Sequence, residues 1–158
     1  MPKQKKTTAP TLKGSQYKKS GASPGYLFWK VFNTWSRQLR SRLEELDLTQ
    51  AQYSILAATA YLGSADKLIS QQAVAQQLSM DKMMVSDVVK TLERKKLMTR
   101  KPHPADGRAM TLHLTSLGRE TLKRAIPTVE AVDEDFFGKL GPESLREFIR
   151  FLTELDAP

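Results

Sequence analysis

The stretch from Ser70 to Leu114 constrains this chain more than any other. Ser70 reads as an N-cap for a short helical segment, Gln71 to Leu78, whose Val74 and Leu78 face inward. A second helix follows almost at once. Asp81 is its expected N-cap, Met80 and Val85 are placed to staple across that cap, and Val85, Val88, Val89 and Leu92 fall at i, i+3, i+4 and i+7. Leu97 to Lys101 and Ala109 to Leu114 then read as two strands, the second alternating Met110, Leu112 and Leu114 against Thr111 and His113. Between them Pro102 to Arg108 has Pro, Asp and Gly turn chemistry, which predicts a hairpin with a basic, exposed loop.

The apolar stripe of the second helix is narrow, so its opposite face is free for another task. At 100° per residue, Met83, Asp87, Lys90 and Arg94 lie opposite the valines, with Lys82 and Ser86 on a flank near the N-terminal end. A short helix, a tight turn, an amphipathic helix and a hairpin in that order predict a winged helix-turn-helix, whose second helix enters the major groove of double-stranded DNA. The side chains suit that surface. Lys and Arg reach phosphates or guanine acceptors, Ser bonds a phosphate or base edge, and a thioether packs on a thymine methyl. Asp87 can accept from a cytosine amino group, or pair with Lys90 or Arg94 and repel phosphate. On the hairpin, Asp106 can hold the turn while Arg108 projects from its tip towards the minor groove.

Around this unit the chain is mainly helical. Phe28, Phe32, Trp35, Leu39, Leu43 and Leu46 make one long apolar stripe. Thr49 with Gln52 is a capping box for a helix over about Gln50 to Leu62, stopped by Gly63. Thr115 caps a long helix through Leu122, Ile126 and Val129, in which Pro127 removes one ladder bond, and Gly141-Pro142 starts a last amphipathic helix. The formal charge of +8 is unevenly spread: residues 1–22 carry +6, 23–69 +1, 70–114 +4 and 115–158 −3. Residues 1–22 have too few large apolar side chains to offset the entropy of ordering and read as a disordered basic tail, a salt-sensitive, non-specific supplement to DNA binding.

The chain has no cysteine, which excludes disulfides, thiolate metal sites and thiol redox sensing. No run is apolar enough to span a membrane and the N-terminus lacks the apolar core of a secretory signal, so the expected location is the cytoplasm and no membrane partner is expected. His103 and His113 bracket Asp106 but have no third strong ligand nearby, so no metal and no cofactor are expected. Without a nucleophile partnered by His and acid, or a glycine-rich phosphate loop, no enzyme is expected and no residue is assigned a catalytic role. The paired acids Asp133, Glu134 and Asp135 read as a solvated helix face. The rival reading is a dimeric protein-interaction module that keeps the fold without reading sequence, which an acidic stripe at Asp87 and Glu93 would suit.

The chain resembles the MarR family of winged-helix transcription regulators over residues 24–156. The resemblance rests on Leu48-Thr49 with Gln52 and Leu56, Val74 to Leu78, Asp81 to Ser86, Leu92-Glu93, Asp106-Gly107-Arg108, and Leu114-Thr115 with Gly118. The Asp-x-Arg ahead of a Leu-Thr helix start is its most specific part. It implies a fold that is mainly α with a small β-hairpin wing: a tail over 1–22, then a domain over 23–158 with a winged unit at 49–115 and dimerisation helices at 23–48 and 116–158. It further implies that Lys82 to Lys96 is the recognition helix, with Arg108 as wing-tip reader and Asp106 its support. Met83-Met84 and Asp87 depart from the family pattern in that helix. Homodimerisation is implied, and Phe28, Phe32, Phe136, Phe137, Phe148, Ile149 and Leu152 are a heavy apolar load that supports it. A repressor on a pseudo-palindromic operator follows, released by a small aromatic or phenolic effector that Trp29 and Trp35 would line and Arg37 or Arg40 would hold by its carboxylate.

Overall fold

Short side chains that satisfy helix ends punctuate the chain, and the helices begin where those caps sit. The computed structural model describes residues 13–17, 20–63, 68–104 and 106–157, with only the backbone for Ser20 and residues 106–109. The chain divides into two units, residues 1–37 and 38–158, and the boundary falls within helix α1, Pro24–Glu44. In the first unit, Lys13 and Gly14 form a turn, Ser20–Ala22 is a single 3-10 turn, and α1 begins at Pro24. The tail expected over 1–22 lies outside the described residues at 1–12, 18 and 19. Along α1, Phe28 stacks on Phe32 at 6.5 Å and Phe32 tilts against Trp35 at 6.0 Å, the i, i+4 and i, i+3 neighbours of one helix face.

The second unit runs from the end of α1 through α2 (Gln50–Leu62), β1 (Ile69–Ser70), α3 (Gln71–Gln77), α4 (Lys82–Arg94), β2 (Met98–His103), β3 (Asp106–Leu114), α5 (Ser116–Phe137) and α6 (Gly141–Asp156). The expected caps are all present. Thr49 Oγ1 accepts from Gln52 N at 3.2 Å while Gln52 Oε1 accepts from Thr49 N at 3.1 Å, the reciprocal capping box. Ser70 Oγ accepts from Ala73 N at 3.1 Å, and Thr115 Oγ1 from Gly118 N at 2.9 Å. Leu39, Leu43, Leu56, Val74, Val85, Val89 and Leu92 fill the core with Leu112 and Leu122. Of the predicted α4 stripe, Val85, Val89 and Leu92 are fully buried and Val88 half-buried. Helix α5 runs on through Pro127.

Three helix stops have no glycine. Asp47, Ser79 and Lys96 adopt φ of 54°, 49° and 59° after α1, α3 and α4. In each case the next residue's N–H reaches back five residues: Leu48 to Leu43 O at 3.0 Å, Met80 to Ala75 O at 2.9 Å and Leu97 to Leu92 O at 2.9 Å. That closure ties up an otherwise orphaned carbonyl and turns an apolar residue back onto the helix it leaves.

The wing departs from the sequence reading in three ways. It is a three-stranded antiparallel sheet in the order β1-β3-β2, not a bare hairpin, because the two residues of β1 pair with β3 as Ile69 with Leu112 and Ser70 with Thr111. Its strands reach further into the expected loop, β2 ending at His103 and β3 beginning at Asp106, so the backbone of Arg108 belongs to the start of β3 rather than to the loop. The ladder jumps from Pro102 opposite Met110 to His103 opposite Asp106, which places the backbone of residues 107–109 in a bulge. The predicted alternation also breaks: Met110 is exposed and Thr111 buried. Thr111 lies on the central strand and pairs with a residue of each neighbour. Its hydroxyl donates to Lys101 O at 3.1 Å and contacts His113 Nε2 at 2.9 Å, so a polar side chain is buried with its hydrogen bonds made.

Candidate nucleic-acid interface

Helix α4 is fixed at its start by a charge. Asp81 Oδ1 accepts from Met83 N at 2.7 Å and Met84 N at 3.2 Å, which sets the first turn and complements the positive end of the helix dipole. From there the outer face of α4 forms one wall of an open cleft of about 580 Å³. Lys82, Met83, Ser86, Asp87 and Lys90 line it from α4, Ser70 from the end of β1, Gln71 and Gln72 from the start of α3, and Met110 from β3. The sequence-predicted α4 residues therefore converge on one surface, with Arg94 exposed on the last turn of the same helix. Gln71, Gln72 and Met110 are additions to the sequence reading. The helix pattern that turns Val74 and Ala75 inward holds the signal for the two glutamines, whereas strand alternation predicts Met110 inward and the sheet does not follow it.

Electrostatics separate the two acids of α4. Asp87 Oδ1 lies 2.8 Å from Lys90 Nζ, an exposed i, i+3 pair. Glu93 faces the sheet: Arg100 Nη2 lies 2.6 Å from its Oε2, and the Arg100 amide donates to its Oε1 at 3.1 Å. This second pair is largely shielded and ties the last turn of α4 to β2.

A further set of bonds ties that turn to the corner after α1. The buried Gln52 donates through Nε2 to Thr91 Oγ1 at 3.1 Å, and Lys95 Nζ donates to Asp47 O and to Gln52 Oε1 at 3.4 Å, while lying 3.0 Å from Asp47 Oδ2. The exposed face of α4 is thus carried on a helix anchored at both ends. The Asp81 cap is legible in the sequence, whereas the bonds among Asp47, Gln52, Thr91 and Lys95 are not, because those partners are far apart along the chain.

Asp106 and Arg108 lie on the bulged strand, and their side chains fall outside the described residues. Of the residues expected to meet an effector, Trp29, Arg37 and Arg40 are exposed and Trp35 half-buried. Residues expected at a dimer contact remain uncovered in the single chain: Phe28, Phe32 and Ile149 are exposed, and Phe136, Phe137, Phe148 and Leu152 half-buried. Phe136 meets Phe137 edge-on at 5.0 Å, and Phe137 lies 5.8 Å from Phe148. The α5 and α6 ends enclose an apolar cleft of about 600 Å³ lined by Phe137, Leu145, Phe148, Ile149 and Leu152. Among the described residues no cluster of three His or acidic side chains could hold a metal ion, and no helix is long and apolar enough to cross a membrane.

A capped helix pair whose second member displays cations beside a three-stranded wing defines the winged helix-turn-helix class. The family model described as MarR matches residues 48–110. A curated relative, the uncharacterised HTH-type transcriptional regulator YdcH of Bacillus subtilis, is 36% identical over 78% of this chain and 84% of its own length. Two solved structures share the fold. BpsR of Bordetella bronchiseptica, described for regulation of its DNA binding by 6-hydroxynicotinic acid, superposes with a TM-score of 0.80 at 24% identity, covering 87% of this chain and 96% of that one. A mutant form of Escherichia coli MarR in complex with operator DNA has a TM-score of 0.75 at 22% identity, covering 84% and 93%. The chain belongs to the MarR family of transcriptional regulators.

Proposed function

We propose that this regulator is a sequence-specific repressor that binds a pseudo-palindromic operator in double-stranded DNA as a homodimer. The observation that carries the reading is the α4 face, where Lys82, Met83, Ser86, Asp87 and Lys90 converge on one open cleft of a helix fixed at both ends. Cations there reach phosphates while Ser86, Met83 and Asp87 meet base edges, and Arg108 enters the adjacent minor groove with Asp106 as its support. The E. coli relative of the same fold is crystallised on operator DNA. A twofold dimer places two such helices on half-sites about 10 base pairs apart, and a dimer seated over a promoter excludes other proteins from it. The uncovered aromatic residues of α1 and the apolar face of α6 are the surfaces that a second copy would bury.

The effector is a small aromatic acid in this reading, by analogy with BpsR. The indoles of Trp29 and Trp35 supply stacking surface and Arg37 or Arg40 the carboxylate partner. The interaction-module alternative loses its main support, because Asp87 and Glu93 form no free acidic stripe: each is paired with a cation.

Selection of duplexes from a random pool tests the proposal. The expected product is a palindrome that remains preferred as salt rises, with binding lost in Lys90→Ala and Arg108→Ala. A pool that yields no preferred sequence, or variants that bind the selected duplex as the parent does, would overturn it. A panel of aromatic acids that leaves the thermal midpoint unmoved would remove the effector.

A further inference from the structure

We propose that Met83, Met84 and Met110 form a methionine-oxidation site on the DNA-facing surface, through which a peroxide oxidant weakens operator binding. The regulatory half of this inference rests on the DNA reading above; the chemistry of the site does not. The chain has six methionines and no cysteine, so no thiol competes with the thioethers for an electrophilic oxidant. Methionine usually fills gaps in cores. Here Met98 does so at 1% exposure, whereas Met83, Met84 and Met110 are 74%, 54% and 38% exposed. Met83 and Met110 line the same cleft with Lys82, Ser86 and Lys90, and the Asp81 cap holds the backbone of Met83 and Met84 at the start of α4. Met83 and Met110 are thus displayed on the proposed reading surface and Met84 is exposed beside them on the first turn of α4, while the core Met98 is shielded.

The reaction balances with hydrogen peroxide as the oxidant. A sulfur lone pair attacks one peroxide oxygen, an S–O bond forms as the O–O bond breaks, and the departing hydroxide takes the proton carried by the transferred oxygen, which leaves the neutral sulfoxide and water. Sulfur is oxidised by two electrons and peroxide reduced by two. The side chain changes from apolar to polar and gains an acceptor oxygen, which disrupts an apolar contact with a thymine methyl and can engage Lys82 or Lys90 in place of phosphate. Methionine sulfoxide reductases reverse the change, one enzyme for each sulfoxide epimer.

The test uses the full chain and excess hydrogen peroxide, with site-resolved mass spectrometry and binding to the selected operator measured in parallel. Sulfoxide is expected at Met83, Met84 and Met110 well before Met98. Operator affinity should fall about tenfold, the scale of one lost base contact, and recover after treatment with both reductases. For Met83→Leu with Met84→Leu and Met110→Leu, and for Met83→Leu alone as a milder variant, operator affinity is compared before and after peroxide within each protein: the triple variant should show no peroxide-dependent loss, whatever its untreated affinity. Oxidation of Met98 as fast as the others overturns the site. Oxidised protein that binds unchanged, or a leucine variant as sensitive as the parent, overturns the regulation. If the untreated protein selects no duplex, the DNA reading and the regulation fail together, and the order of sulfoxide formation still decides the site.

Discussion

A few single residues carry constraints that can be tested one at a time. A Cβ built on Gly118 would overlap the Leu97 carbonyl, the same oxygen that accepts from Thr115 N at 3.1 Å. Alanine normally stabilises a helix by about 1 kcal/mol over glycine. Here Gly118→Ala must push α5 off the turn before β2, so urea unfolding should show a loss of about 2 kcal/mol or more. Asp87 neutralises Lys90 across an exposed pair that contributes little to stability. Asp87→Asn frees that lysine, and binding to non-cognate DNA should tighten, with the slope of log affinity against log salt steeper by about 1. A salt titration by fluorescence anisotropy checks this, and an unchanged slope would show that Asp87 does not hold Lys90 back from phosphate. Tyr53 adds a pH dependence. Burial pushes its phenol above the usual value of 10.0, and Glu130 and Asp133 add to the rise. The folded state therefore holds that proton more tightly than the unfolded chain does. The stabilisation is fully present below pH 10 and lost as pH rises through the raised value. Tyr53→Phe should flatten this part of the alkaline decline in thermal midpoint relative to the parent.

Among the helices and strands, local signals are legible in the sequence and distant ones are not. The Thr49 box and the Ser70, Asp81 and Thr115 caps all act within three residues, so the sequence reveals them, and with them the order of helices and the outward face of α4. The β1 strand is two residues long and exists only because β3 lies beside it. The αL stops at Asp47, Ser79 and Lys96 carry no glycine to announce them. Gln52 is visible as a cap but not as a bridge, since Thr91 is 39 residues away. That bridge supports a prediction about how α4 is held. Lys95→Met removes the bonds to Asp47 and Gln52 together, and Gln52→Leu removes those to Thr91 and Lys95 along with the Gln52 half of the Thr49 capping box. In either variant, amide exchange should quicken both in the last turn of α4 and in the corner at residues 45–48, with the sheet little changed. Exchange that rises in only one of the two segments would mean that they are not coupled through these side chains.

Helix α6 is a part of the protein that a single chain leaves unsatisfied. It runs Gly141–Asp156 with no buried residue, although Leu145, Phe148, Ile149 and Leu152 share a face, and Ile149, Phe151 and Leu155 are exposed. An isolated helix of this length is marginal in water, so its order needs apolar burial from elsewhere. A second copy supplies it in the proposed dimer. If α6 is the seam, the thermal midpoint should rise with protein concentration, and sedimentation should give twice the chain mass. Phe148→Glu puts a charge in the middle of the apolar face, where burying it unpaired costs roughly 3 kcal/mol or more. The variant should sediment as a monomer and bind a full operator no more tightly than a single half-site, because it loses the gain from linking two sites. A Phe148→Glu protein that remains dimeric would move the contact away from α6 and leave the aromatic face of α1 as the surface that joins two copies.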